Sequence, residues 1–467
     1  MIRSGTLPTF AAIAAFIVGG VVLSAVAVVA IRTTALSTAA PLALSELGRR
    51  VLVIAPHPDD EVLATGGTIH RLIAEGASVR VVLVTAGDSY LRAAANIARG
   101  APGPEAYLRL GEARHRESLA AAARLGLDAS DVVSLGYADG TTQAMWDGSW
   151  DAANPARGRT AVTTVGYSWA ARPGAVMCGE GLAADLGSEI RDFAPDTVIA
   201  PDVFETHSDH ATVGAFAIYA MDAVGFTGRR LSTVTHFRHY PYPWAHLPGT
   251  ALNPPPQLLS PGTTWLALPL ESADNAAKEA AIAEYGSQTA IADLGLYMRA
   301  FVRTNELFAS RVPPRALALT GDGRPGRDAP ITVLATPNPV IPIAAGSTRP
   351  RIAAVLTAVG PKTLWIGLRC DATVAATDTF GVGLRLFGPD GTPARLDISV
   401  TGGRTVSFKN AGNAITPGGL RADVDGDTMW VAVPRDALTG RTRFMVGATV
   451  TRGKGTPMRT AWREVDL

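Results

Sequence analysis

The stretch VLVIAPHPDDE, residues 51–61, contains three pieces in eleven residues. Residues 51–55 form a short, continuous aliphatic run, the pattern of a strand buried on both faces. From residue 61 to 75 apolar positions recur at spacings of three and four, the period of a helix packed on one side. The turn between them carries His57, Asp59 and Asp60, at the carboxyl end of a strand where open α/β sheets gather their ligands. His57 and Asp60, three residues apart across that turn, can bring an imidazole nitrogen and a carboxylate oxygen onto one cation. Asp59 then stands beside the ion, placed to take a proton from water.

The same alternation continues outward. Short strand-like runs at 79–85, 132–135 and 197–200 are separated by helix-period segments at 105–126, 182–193 and 209–224. This predicts an α/β, Rossmann-like fold, a mostly parallel sheet with helices on both faces. The run at 197–200 is followed by ETHSDH, residues 205–210. Parallel packing brings both strand ends to one rim, so His210 can complete a His/Asp/His set with an open position, the form of a catalytic zinc site. His207 is left free to protonate a leaving group or stabilise an oxyanion. The competing reading is that Asp59 and Asp209 cap helix N-termini, which both are placed to do.

Residues 141–176 break the alternation with a Gly-, Ala- and Arg-rich insertion carrying Trp146, Trp150, Tyr167 and Trp169. These aromatics either stack on a sugar or fill a small core of the insertion itself. Two further helices are expected at 272–292 and 294–310. Residues 313–330, rich in Pro and Gly, read as a linker. From 331 to 467 the helical period disappears, and strand-like runs at 364–368, 383–387, 396–400, 429–433 and 443–450 predict an all-β sandwich. This tail is expected to fold separately, so that its removal leaves turnover of a small substrate intact. Trp365 and Trp430 alone suggest no aromatic platform on it.

Composition removes several function classes. With 47% hydrophobic residues among 467, the chain can bury a large core and is not disordered throughout. Lys+Arg 42 against Asp+Glu 41 leaves +1, without the basic excess of a nucleic-acid binder. Two cysteines, Cys178 and Cys370, exclude a disulfide scaffold and leave room for a single bridge. Residues 10–31 (FAAIAAFIVGGVVLSAVAVVAI) are 22 positions without a charge, long enough to span a bilayer and longer than the usual core of a cleavable signal. The expectation is an N-terminal transmembrane helix within residues 1–45, with the body outside the cytoplasm; a cleaved, secreted form is the alternative.

Taken together, HPDDE at 57–61 with GGT at 66–68, and HSDH at 207–210, resemble the PIG-L/LmbE-like family of metal-dependent N-deacetylases. Further landmarks stand in order: VTAGD at 84–88, RE at 116–117, GYADG at 136–140, YGSQ at 285–288 and NELF at 305–308. The resemblance covers about residues 46–312. It implies a Rossmann-like hydrolase, usually with Zn2+ although Fe2+ also suits such donors, that removes an acyl group from the nitrogen of an amino sugar in a glycan or glycolipid. By it, His57, Asp60 and His210 are the metal ligands and Asp59 the general base. His207 is the acid or oxyanion-stabilising group, and Asp209 orients it. Ser208 stands where many members have proline. Arg116, Asp139, Trp146, Trp169 and His239 are candidates for substrate contact. His70, His115, His236 and His246 lack ligand spacing and read as surface or packing residues. Two other functions compete: a carbohydrate-binding scaffold on a hydrolase-like fold, and a metal hydrolase of another amide or an ester.

Overall fold

The computed structural model describes residues 39–326, 328–335, 350–389, 391, 393–402, 405–409 and 419–467. The expected membrane span at 10–31 lies outside them. Among the described residues no helix is long and apolar enough to cross a membrane.

The first unit runs β1 (Ala40–Pro41), β2 (Arg50–Ala55), α1 (Asp60–Ala74), β3 (Ser78–Thr85), α2 (Leu91–Ala98), α3 (Pro104–Arg124), β4 (Val132–Tyr137), α4 (Thr142–Asp147), α5 (Gly179–Phe193), β5 (Thr197–Pro201), α6 (Ser208–Ala223), β6 (Arg229–Thr233), β7 (Thr263–Pro269), α7 (Ser272–Glu284), α8 (Gly286–Thr289), α9 (Ala292–Arg299) and β8 (Asn305–Arg311). Its eight strands lie in the order β1-β7-β8-β6-β5-β2-β3-β4. Successive side chains of a strand point to opposite faces. On β2, Val51, Val53 and Ala55 accordingly join a core with α1, α3 and α7, while Leu52 and Ile54 join another with α5 and α6. Both faces are covered, which explains why the run carries no polar alternation.

The sheet is mixed rather than wholly parallel, because β8 runs antiparallel between β7 and β6. This corrects the helix expected over 294–310: α9 ends at Arg299, and residues 305–309 form a buried strand. A short buried apolar run has no period that separates strand from helix. β6 escaped notice for the opposite reason, since its sequence RRLST has only one aliphatic residue.

The second unit contains β9 (Leu317–Ala318), β10 (Thr332–Ala335), β11 (Ile352–Val359), β12 (Thr363–Cys370), β13 (Asp378–Phe387), β14 (Ala394–Thr401), β15 (Thr405–Lys409), β16 (Arg421–Asp425), β17 (Thr428–Pro434), β18 (Arg443–Arg452), β19 (Met458–Arg459) and β20 (Arg463–Asp466). Two sheets, β10-β11-β12-β17-β16 and β15-β14-β13-β18-β19, enclose a core of inward residues from both. Part of the expected linker is built into this unit, since β9 pairs with β11 and Ala316 N donates to Asp466 O at 2.8 Å. Cys178 and Cys370 are buried free thiols.

The tail is not an independent appendage. Phe387 and Met445 of the sandwich belong to the same buried cluster as Trp146, Trp150, Phe216 and Tyr219, with Trp462 packed against it. The Arg395 guanidinium lies 3.8 Å from the Trp150 ring centroid, and its Nη2 donates to Trp146 O at 3.1 Å. Arg459 pairs with Asp147 at 2.5 Å and Arg443 with Asp222 at 3.4 Å. The sandwich therefore covers the outer side of α6, the helix that begins beside His207.

Candidate metal centre

Strand β2 leads to β3 on one side of the sheet and β5 leads to β6 on the other, while β2 and β5 are neighbours. Such a switch in direction opens a crevice at the strand ends. The turn after β2 delivers His57, Asp59 and Asp60; the turn after β5 delivers Glu205, His207, Asp209 and His210.

Three atoms converge there. His57 Nδ1 lies 3.2 Å from Asp60 Oδ2, His210 Nε2 lies 3.1 Å from the same oxygen, and the two ring nitrogens are 3.2 Å apart. A four-coordinate ion with bonds of roughly 2.0–2.2 Å requires ligand separations of about 3.3–3.6 Å, so a widening of a few tenths of an ångström fits the triangle to one divalent cation. Each histidine also has a carboxylate behind it. His57 Nε2 is 3.3 Å from both Asp139 Oδ1 and Asp209 Oδ2, and His210 Nδ1 is 3.5 Å from Glu205 Oε1 and 3.1 Å from Thr235 Oγ1. Such backing is the usual support of a metal-bound imidazole, fixing its tautomer and orientation. Burial opposes protonation of both rings, yet the surrounding carboxylates outweigh it: Asp139 carries His57 well above its usual range, and Asp60 carries His210 up to about 9. A pocket that favours two positive charges in this way is one that a dication also satisfies. His57, His207 and His210 together offer a second set of closely spaced donors, as do Asp60, His210 and His236.

Asp59 sits at the N-terminus of α1 with φ +123, a conformation that L residues rarely adopt. It makes no side-chain cap bond, so the capping alternative does not describe it. Its backbone N–H donates to Glu61 Oε2 at 3.0 Å, and Arg114 Nη2 donates to its Oδ2 at 2.9 Å. Burial pushes the carboxyl up to about 7 although Arg114 pulls it down. Glu61 in turn accepts from the Tyr285 hydroxyl. Local strain held by several partners is a common property of reactive positions.

Several expected roles move. Asp209, expected to orient His207, instead holds His57 and accepts from Gly140 N at 2.6 Å and Thr142 Oγ1 at 2.6 Å. Asp139 also backs His57 rather than facing the cleft alone; burial opposes its ionisation, but His57 holds it well below the usual carboxylate range. Arg116 is exposed on α3, whereas Arg114 is buried at the site. Two residues along a helix turn through about 200°, so these side chains occupy opposite faces. Trp146 is 1% exposed and packs edge-on against Phe216, which makes it core. Trp169 stacks between His115 at 4.0 Å and Tyr167 at 4.5 Å, and its indole donates to Glu112 at 2.9 Å. His239 is exposed, with φ +57, and lines the cavity beside His207 and His236.

His207 is packed edge-on against His57, with ring centroids 5.0 Å apart. Burial and the charges on His57 and His210 push it down to about 4, so it is neutral near pH 7. Its Nδ1 is enclosed with no hydrogen-bond partner among the described residues, which leaves Nε2 for the cavity. His236, which sequence spacing had left as a packing residue, stacks on Tyr297 and stands 3.8 Å from Asp60 Oδ1. The signal for it was its place three residues beyond β6, a strand the sequence does not advertise.

Residues 52–221 match the family model described as PIG-L: GlcNAc-PI de-N-acetylase, and this stretch is a domain of the PIG-L family. Among curated proteins, 1D-myo-inositol 2-acetamido-2-deoxy-alpha-D-glucopyranoside deacetylase of Mycobacterium sp. (strain KMS) is 34% identical over 40% of this chain and 54% of its own length. The protein of the same description from Tsukamurella paurometabola is 30% identical over 38% and 57%. The chain thus spans about half the length of these relatives. Among solved structures, N,N'-diacetylchitobiose deacetylase from Pyrococcus horikoshii is 21% identical, covering 56% of this chain and 84% of that one, with a TM-score of 0.28.

Proposed function

We propose that the chain is a divalent-metal N-deacetylase, with zinc the first candidate ion, acting on the acetamide of an N-acetylated amino sugar in a glycan or glycolipid. The observation that carries this reading is the donor triangle of His57, Asp60 and His210, each imidazole backed by carboxylates, with Asp59 beside it and a cavity opening at the neighbouring His207 and His236. Deacetylases among the curated relatives support it. The residues that would hold the ion are His57 through Nδ1, Asp60 through Oδ2 and His210 through Nε2. When bound, such an ion polarises an amide carbonyl and makes water a better nucleophile.

The chain's own groups supply the rest. Asp59, ionised, accepts the proton that the attacking water loses. The new carbon–oxygen bond forms as the carbonyl oxygen gains charge, and His207 Nε2, carrying a proton at neutral pH, is placed to donate a hydrogen bond to it. The carbon–nitrogen bond then breaks, the proton held by Asp59 passes to the departing nitrogen, and acetate and a free amine leave. Arg114 keeps Asp59 ionisable in a buried setting, while Asp139 and Asp209 hold His57 in one tautomer.

The test is acetate and free-amine release from a panel of N-acetylated sugars, peptides and esters, with chelator and metal add-back. Release from sugars alone, abolished by chelator and restored by Zn2+, supports the reading; release only from peptides or esters would overturn it. The uncharged stretch at 10–31 is what supports attachment to a membrane; a body outside the cytoplasm is part of the same proposal. Resistance of the intact chain to carbonate extraction tests that attachment, and release as a soluble form would count against it.

A further inference from the structure

We infer that the β-sandwich forms the far wall of the substrate cleft and that Trp462 is the platform for a second sugar residue, so that the preferred substrate is an N-acetylated oligosaccharide rather than a monosaccharide. This rests on the deacetylase reading and names its substrate class.

The cavity that opens beside the metal centre, at His207 and His236, has a volume of about 1190 Å³ and extends from these residues and His239 to Asp397, Arg459 and Trp462 of the sandwich. Pockets that bury a single drug-sized ligand hold roughly 300–1,000 Å³, so this one has room beyond the residue being deacetylated. The sandwich side of it is a built surface. Gly383 of β13 and Gly447 of β18 are direct cross-strand partners. A Cβ on Gly383 would come within 2.4 Å of the Trp462 ring, and one on Gly447 within 2.5 Å. Glycine inside a strand weakens it relative to alanine, so two facing glycines mark a place where something must approach the backbone closely. Here that is the flat indole of Trp462.

The ring is also fixed by its neighbours. It meets Trp146 edge-on, with centroids 5.1 Å apart at 79°, and the Arg385 guanidinium lies over it, 4.5 Å from its centroid. Trp462 remains only half-buried. Beside it, Asp397 is held by Arg385 at 2.8 Å and by Arg395 at 3.2 Å while its side chain keeps 34% exposure. Arg459, held by Asp147, lies on the same wall. A rigid aromatic body flanked by fixed charged hydrogen-bonding groups suits a sugar ring, which presents C–H groups on one face and hydroxyls at its edge.

The test measures acetate release from N-acetylglucosamine and from its β-1,4-linked tetrasaccharide by the full chain, together with oxidative footprinting of Trp462. The unaltered protein should favour the tetrasaccharide in kcat/KM by tenfold or more. Trp462→Ala should cut that preference at least fivefold through the KM for the tetrasaccharide, and Trp462→Phe should restore most of it. The tetrasaccharide, and not the monosaccharide, should protect Trp462 from oxidation; this reading needs no variant to fold. Equal preference in the alanine variant, or oxidation of Trp462 unchanged by the tetrasaccharide, would overturn the inference. Failure of the unaltered protein to release acetate from either sugar counts against the activity and leaves the footprint to judge the subsite.

Discussion

Removing residues 331–467 should destroy the catalytic unit rather than merely shorten the protein. The cut uncovers Trp146, which is 1% exposed, Tyr219 at 7% and Trp150 at 8%. Each loses a sandwich partner: Trp462 at 5.1 Å from Trp146, Phe387 at 5.5 Å from Tyr219, and Arg395 at 3.8 Å from Trp150. At about 1.5–3 kcal/mol for each large side chain returned to water, full exposure of three costs roughly 5–9 kcal/mol, an upper figure because part of each surface stays covered. A domain's whole stability is about 5–15 kcal/mol, so even half of that loss is serious. The damage falls first on α4 and α6, and α6 carries Asp209 and His210 in its first turn. Urea melts of the full and shortened chains, paired with acetate release from a monosaccharide, provide the assay. The shortened chain should melt at markedly lower urea, bind metal poorly and lose turnover on small and polymeric substrates alike. An unchanged midpoint with full turnover of the small sugar would refute the argument and restore the separable tail that the sequence suggests.

Three further outcomes follow from the site. His210→Ala removes one corner of the donor triangle, so the purified protein should lose its divalent ion as read by elemental analysis; full occupancy would take His210 out of the ligand set. Asp59→Asn should keep the ion but lose about 10²–10⁴-fold in kcat, the usual worth of a general base, and parent-like activity at saturating metal would remove Asp59 from that role. Arg114→Met takes a positive charge from beside a carboxyl already pushed up to about 7 by burial. Loss of an opposite charge at that range raises such a pKa by about 1–3 units. The base must be ionised to act, so the acid limb of the kcat/KM profile should move to higher pH by that amount, with activity recovering in alkali. A limb that stays in place, with a uniform loss at every pH, would mean that Arg114 only braces the fold.

The sequence alone determined β2 to β5 with α1, α3, α5 and α6 of the first unit, five strands of the sandwich, and the placing of His57, Asp60 and His210 at neighbouring strand ends. These rest on local facts: aliphatic runs of five or six residues, apolar spacing of three and four, and ligand-type side chains at strand ends. Only the tertiary structure decided what stands behind and around those donors. His57 meets Asp209 across 152 positions of chain, and Asp59 meets Arg114 across 55. Whether Arg114 or Arg116 faces inward depends on how α3 is rotated against the sheet, and no period in its sequence says so, since charged residues occupy both faces. His236 reaches the centre because the polar strand β6 lies beside β5, a pairing made by register and not by composition. The sandwich covers one side of α6 through Phe387 against Tyr219, and it seats Trp462 on the flat place left by the opposed Gly383 and Gly447. Contacts of this kind depend on which distant segments are brought together, and side chains distant in sequence carry no periodic signal of their meeting.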